Sequence, residues 1–199
     1  MAEKGRKRRR IVICVTGMSG CGKSTLARRL AKKYGLKYFS GGDMLKAIAV
    51  KSGYKPRGKG WWETKEGRSF LQQRTRNYEF DNRVDEELMK LAKQGNVVLD
   101  SWTMPWLLKE NAFKVWLEVS PNERAKRLAR RDRISVKEAL SVLDEKDGKT
   151  KRIYKRLYGF DLGEDFSPFD LILDTNLLES GEVFQALCMV IDRLVLGKR

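Results

Sequence analysis

The apolar run Ile11-Val12-Ile13-Cys14-Val15-Thr16 stops at Gly17-Met18-Ser19-Gly20-Cys21-Gly22-Lys23-Ser24-Thr25, and no other stretch restricts the fold so tightly. A β-branched run of that length reads as a buried strand. Leu26, Leu30 and Ala31 behind it have the spacing of an amphipathic helix that Gly35 ends. Between them the chain reads Gly-x-x-x-x-Gly-Lys-Ser, the phosphate-binding P-loop pattern, in its required strand–loop–helix setting. Gly17, Gly20 and Gly22 let successive backbone N–H groups turn inward, and the helix N-terminus adds partial positive charge. Lys23 has the reach to meet β- and γ-phosphates, and the Ser24 hydroxyl is placed to ligate Mg²⁺. Residues 17–25 are therefore the expected cradle of a nucleoside triphosphate. Cys21, at the head of that helix, is expected to gain thiolate character there.

Composition narrows the chemistry. The 199 residues suit one domain with a real core. No apolar run approaches the roughly 18 residues of a membrane span, and nothing resembles a signal peptide. Cys14, Cys21 and Cys188 lack metal-ligand spacing and read as reduced thiols, which points to the cytoplasm. With no histidine, His-dependent triads, His acid–base work and zinc–His sites are excluded. Phosphoryl transfer survives that loss, because charge neutralisation and alignment carry most of its catalysis. The net charge of +16, from 42 basic and 26 acidic residues, attracts polyanions: nucleotides, RNA or anionic surfaces. Residues 1–10 hold six of those cations and read either as an RNA-contacting arm or as a solvated, disordered tail.

Further along, Leu36 to Phe39 reads as a strand, and Met44 to Val50 has helical spacing after Ser40-Gly41-Gly42-Asp43. Trp61 and Trp62 lie in a polar, glycine-rich loop, where they could stack on a base or plug a subdomain onto the core. Helices are expected over 66–79 and 81–94. The strand Asn96 to Asp100 then ends in a carboxylate that should face the P-loop, either serving Mg²⁺ or capping the following turn. Phe113 to Val119 and Phe169 to Leu173 read as the fourth and fifth strands, and 179–196 as a final helix. Between the last two strands, Ser120-Pro121-Asn122-Glu123 and Ser135-x-x-Glu138 start two helices rich in Lys and Arg, the second running to Tyr158 with Gly159 as its stop. Arg127 and Arg131 share a face. Such a cationic pair reads as a lid over a transferring phosphoryl group, or as a solvated basic surface.

This order of elements resembles that of P-loop nucleoside monophosphate kinases, and more narrowly the archaeal-type cytidylate kinases. The resemblance covers residues 11–196. Besides the P-loop, it rests on Ser40 to Asp43, Asp81 to Asp85, Gly95 to Asp100, Arg127 to Arg131, Tyr154 to Leu162 and Phe169 to Thr175. It implies a three-layer α/β fold, a five-stranded parallel sheet flanked by helices, as one domain over 11–199. It further implies an acceptor-binding insertion near 41–95, a lid near 130–160, and transfer of the ATP γ-phosphoryl group to CMP or dCMP by a monomer with Mg²⁺. Ser40, Asp43, Lys46, Asp81, Asp100 and Trp102 would then face the acceptor, and Ser24 and Asp100 the metal. Lys23, Arg127, Arg131, Lys146 and Arg152 would supply catalytic charge.

The chain departs from that family pattern in places. Lys46 and Lys146 stand where arginines are expected, and Asp100 is followed by Ser101-Trp102 rather than Gly-Arg. A second lid arginine falls on Arg152 or is displaced to Ile153. Lysine does not reproduce a guanidinium fork, so these changes bear on the acceptor more than on ATP. Two other readings stay open. One is a kinase with another acceptor, including an RNA end, for which Asp43 or Asp81 would be the base. The other is an ATP-gated RNA-binding factor. A GTPase is disfavoured, because Ser-Trp-Thr follows Asp100.

Overall fold

The computed structural model describes residues 10–58, 60–109 and 111–198; the basic tail, apart from Arg10, lies outside them. Among the described residues, five strands form one sheet: β1 (Val12–Gly17), β2 (Lys37–Ser40), β3 (Val97–Asp100), β4 (Phe113–Glu118) and β5 (Leu171–Asp174). Their spatial order is β2-β3-β1-β4-β5, and every neighbouring pair is parallel. β1 is central and entirely buried, as a strand covered on both faces must be.

Side chains of β1 alternate between two cores. Ile13 and Val15 face Leu26 and Leu30 of α1 (Lys23–Tyr34) and Leu187 and Ile191 of α8 (Ser180–Leu194). Val12 and Cys14 face Leu45 and Ala49 of α2 (Gly41–Lys51), Phe70 of α3 (Lys65–Arg74), and Val84 and Leu88 of α4 (Glu79–Gln94). A short α5 (Met104–Leu107) follows β3, and α6 (Pro121–Asp132) and α7 (Val136–Tyr158) connect β4 towards β5. This is the three-layer α/β arrangement expected from the sequence. Among the described residues no helix is long and apolar enough to cross a membrane.

Local chemistry sets the boundaries. The Ser120 hydroxyl accepts from the Glu123 N–H, and Ser135 and Glu138 cap each other reciprocally. Gly35 and Gly159 close α1 and α7 in the left-handed region, at φ 64° and 81°. Among the boundaries that differ from expectation, three have a clear local cause. α2 starts at Gly41 rather than Met44, because Ser40 caps it by accepting from the Asp43 N–H. The helix expected over 66–79 stops at Arg74, and the Asn77 side chain accepts from the Glu79 N–H in a local turn before α4. β5 starts at Leu171 because Phe169 turns into an aromatic cluster with Trp106 and Trp116.

Candidate active site

The P-loop lies at the carboxyl end of β1, where the chain's crossovers diverge towards β3 on one side and β4 on the other, the usual crevice of an open parallel sheet. Its glycines serve different needs. A Cβ on Gly17 (φ 147°) would fall 2.6 Å from the Leu117 carbonyl oxygen and 2.7 Å from Cys21 Sγ. A Cβ on Gly22 (φ 100°) would meet nothing within 4 Å, so that glycine is kept for its backbone conformation beside open space. Lys23 Nζ donates to the Met18 carbonyl at 3.1 Å and stands 5.1 Å above the Trp102 ring. The Ser24 and Thr25 residues are exposed at the head of α1.

Cys21 corrects the sequence-based expectation. Its side chain is buried in the apolar core between β1, α1 and α8. Burial raises its pKa, outweighing the opposing pull of the Lys23 charge. Lys23 Nζ lies 4.0 Å from the sulfur, but burial in the core outweighs both that charge and the helix N-terminus.

The cleft in front of the loop has a volume of about 890 Å³. Asp100 lines it at the end of β3, level with Val15 and Ser40, and accepts from the Tyr38 hydroxyl at 3.1 Å. Ser24 lines the same cleft. Asp43 lines the rim but is ion-paired with Arg28 of α1 at 2.9 Å. Ser40 is buried as the α2 cap, and Lys46 extends towards the Gly58 carbonyl at 3.5 Å. Trp102 donates its indole N–H to the Gly17 carbonyl at 2.7 Å, so it grips the P-loop while lining the cleft. The two neighbouring tryptophans divide their roles. Trp61 is buried against Phe70 with its N–H on Glu66, whereas Trp62 faces the cleft beneath Lys146.

The floor of the acceptor half joins Asp81, which the resemblance set facing the acceptor, to two charges given no role there, Arg74 and Asp85. Arg74 and Asp81 are both 2% exposed and form a two-point ion pair, and Arg74 also lies 3.5 Å from the Tyr154 hydroxyl. Asp85 accepts from the hydroxyls of Thr103 and Tyr158. Burial pushes its carboxyl up to about 6, against the opposing effect of those two hydrogen bonds. Arg74 could have been noticed, because it continues the buried stripe of Gly67, Phe70 and Leu71 on α3, where a cation is out of place.

Of the lid cations, Arg127, Arg131 and Lys146 line the cleft. Arg127 donates to the carbonyls of Cys21 at 3.1 Å and Thr175 at 2.8 Å. Arg131 is ion-paired with Asp132. Arg152 is exposed and outside the cleft lining, and Ile153 is buried in the core. Arg124, to which no separate role was given, is the buried one: its guanidinium bonds the Ser19 carbonyl at 2.9 Å and Asp147 of α7 at 2.6 Å. Among the described residues no three Cys, Asp or Glu side chains gather as a metal cage.

Residues 12–177 match the model of the cytidylate kinase-like family. The chain belongs to that family. Like its other members it is a phosphotransferase. It is 32% identical over 185 residues to a cytidylate kinase from Pyrococcus horikoshii, covering 93% of this chain and 90% of the relative. With a cytidylate kinase from Pyrococcus abyssi the identity is 35% over 184 residues, covering 92% and 95%. Among solved structures, shikimate kinase from Acinetobacter baumannii in complex with shikimate superposes with a TM-score of 0.56 at 18% identity, covering 96% of both chains. At that identity the likeness concerns the fold alone.

Proposed function

We propose that this enzyme transfers the γ-phosphoryl group of ATP to CMP or dCMP, giving ADP and CDP or dCDP, as a monomer in the cytoplasm. The observation that carries the reading is the buried Arg74–Asp81 pair, with Asp85 beside it, in the cleft the P-loop opens onto. Cytosine offers an exocyclic amine as donor and a ring nitrogen and carbonyl as acceptors. Carboxylates of Asp81 and Asp85 complement the amine, and the Arg74 guanidinium complements the acceptors. Uracil would set a carbonyl against those carboxylates, which disfavours UMP by leaving buried polar groups unpaired.

The rest of the cleft suits the transfer. An acceptor phosphate oxygen is already anionic near neutrality, so no general base is needed; alignment and charge are what the protein supplies. Residues 17–25 offer amides and the Lys23 ammonium to the triphosphate. Arg127, Arg131 and Lys146 surround the phosphates with positive charge, while Arg127 also holds the loop through the Cys21 carbonyl. A role for Arg152 requires α7 to close further, since its side chain stands outside the cleft. Ser40, Asp43, Lys46 and Trp102 border the acceptor half within the insertion near 41–95 and beside it. Ser24 and Asp100 line one cleft, and a hydroxyl with a carboxylate suits Mg²⁺, which takes one or two protein oxygens beside waters and phosphates. The Ser24 hydroxyl and the Asp100 carboxylate would hold it there, and it would neutralise charge between the phosphates.

An acceptor screen with Mg·ATP over all ribo- and deoxyribonucleoside monophosphates tests the proposal. CMP or dCMP should be the preferred acceptor, and a protein that phosphorylates none of them refutes it. A hydroxyl acceptor is less well supported, because both candidate bases, Asp43 and Asp81, are held in ion pairs.

A further inference from the structure

A continuous file of side chains joins the two halves of the cleft. It starts at Asp81, whose carboxylate holds Arg74. Arg74 lies 3.5 Å from the hydroxyl of Tyr154, a buried residue on the penultimate turn of α7. The Tyr154 ring meets the Trp102 ring edge-on, with centroids 6.2 Å apart. Trp102 donates to the Gly17 carbonyl at 2.7 Å, and Lys23 Nζ stands 5.1 Å over its indole. Every member contacts the next, and the two ends are the proposed base-recognition pair and the lysine that meets the triphosphate.

Two features make this file more than packing. Trp102 touches both the first glycine of the phosphate loop and its lysine, so a tilt of the indole shifts the peptide and the ammonium together. Tyr154 belongs to the helix that carries Lys146, so the same ring reports to the lid. A cytosine paired to Arg74 and Asp81 competes for the guanidinium that now faces the Tyr154 hydroxyl, and packed rings pass a displacement on rather than absorb it.

Resting on the CMP reading above, we infer that Tyr154 and Trp102 are positioning residues that couple occupation of the acceptor pocket to placement of Lys23. Neither is a catalytic residue. Together they make the two substrates bind with positive cooperativity, a coupling that by linkage must appear equally from either side.

Calorimetry on the full chain tests this with CMP and a non-hydrolysable ATP analogue, each titrated alone and in the presence of the other. CMP should tighten the analogue about fivefold or more, within the usual range of such couplings. Tyr154→Phe removes only the hydroxyl facing Arg74, and Trp102→Phe removes the indole N–H on Gly17 and shrinks the ring beneath Lys23. Each should bring the coupling below about twofold, and Tyr154→Phe should do so while moving either single-ligand Kd less than about threefold. Tyr34→Phe is the control, since its hydroxyl bonds the Cys188 carbonyl in the core on the other face of the sheet, away from the file. It should lower stability and keep the coupling. No coupling in the parent enzyme, full coupling in either variant, or equal loss in Tyr34→Phe would overturn the inference and leave the CMP reading intact. Failure of CMP to bind at all, together with its failure as an acceptor, would remove both.

Discussion

Lys23 is the side chain on which transfer depends most directly. It is held by the Met18 carbonyl, the Cys21 sulfur and an aromatic face rather than by an ion pair, so its loss leaves no buried charge behind. Lys23→Ala should lower kcat at least about 100-fold with an unchanged melting temperature, as steady-state kinetics and calorimetry will show. Asp85 gives a pH signature. Its carboxyl is raised from 3.8 to about 6 in the folded enzyme, so the native state holds a proton that the unfolded chain has released between those values. Stability should therefore fall as pH rises through that window, by about 2–3 kcal/mol in all, and Asp85→Asn should flatten the dependence of Tm on pH there. If the carboxylate reads cytosine, KM for CMP should rise as pH drops below about 6 while KM for ATP holds. Cys21, buried and with its pKa raised, should resist alkylation at neutral pH with no protection from ATP. Peptide mapping after iodoacetamide treatment checks it.

Helix ends were legible where a side chain supplies the missing hydrogen bond within three residues. Ser120, Ser135 with Glu138, Gly35 and Gly159 all cap where the sequence places them. Ser135→Ala should lower stability by about 1 kcal/mol, seen as a shift of the urea midpoint, and should loosen the first turn of α7 in hydrogen exchange. Signals that compete with a neighbouring pattern were harder to see. The Ser40–Asp43 cap was masked by two glycines, which argue against a helix, and the Asn77 turn by apolar spacing that carries on through it. Of the tryptophan pair, only the partition was hidden: one ring is core and the other faces the cleft, and a dipeptide gives no hint of which.

At the scale of the molecule, the sheet was readable because each strand buried on both faces is a nearly continuous apolar run, and because the phosphate loop pins the first strand to the centre. The floor of the cleft was readable only at Asp81. Arg74, Asp81 and Asp85 come from two helices that meet only after the chain has folded, and an arginine matched by an acid seven residues away looks like surface until its surroundings are known. Arg124 belongs to the same class and has the wider consequence. It joins the back of the phosphate loop at Ser19 to Asp147 in the middle of a 23-residue helix, with both charged groups shielded from water. Removing either partner alone strands a charge in the interior, at a cost of about 3–5 kcal/mol, whereas exchanging both for matched apolar groups need not. Descendants of this sequence can therefore drift at these two positions only in step, and wherever one has changed the other should be found changed with it.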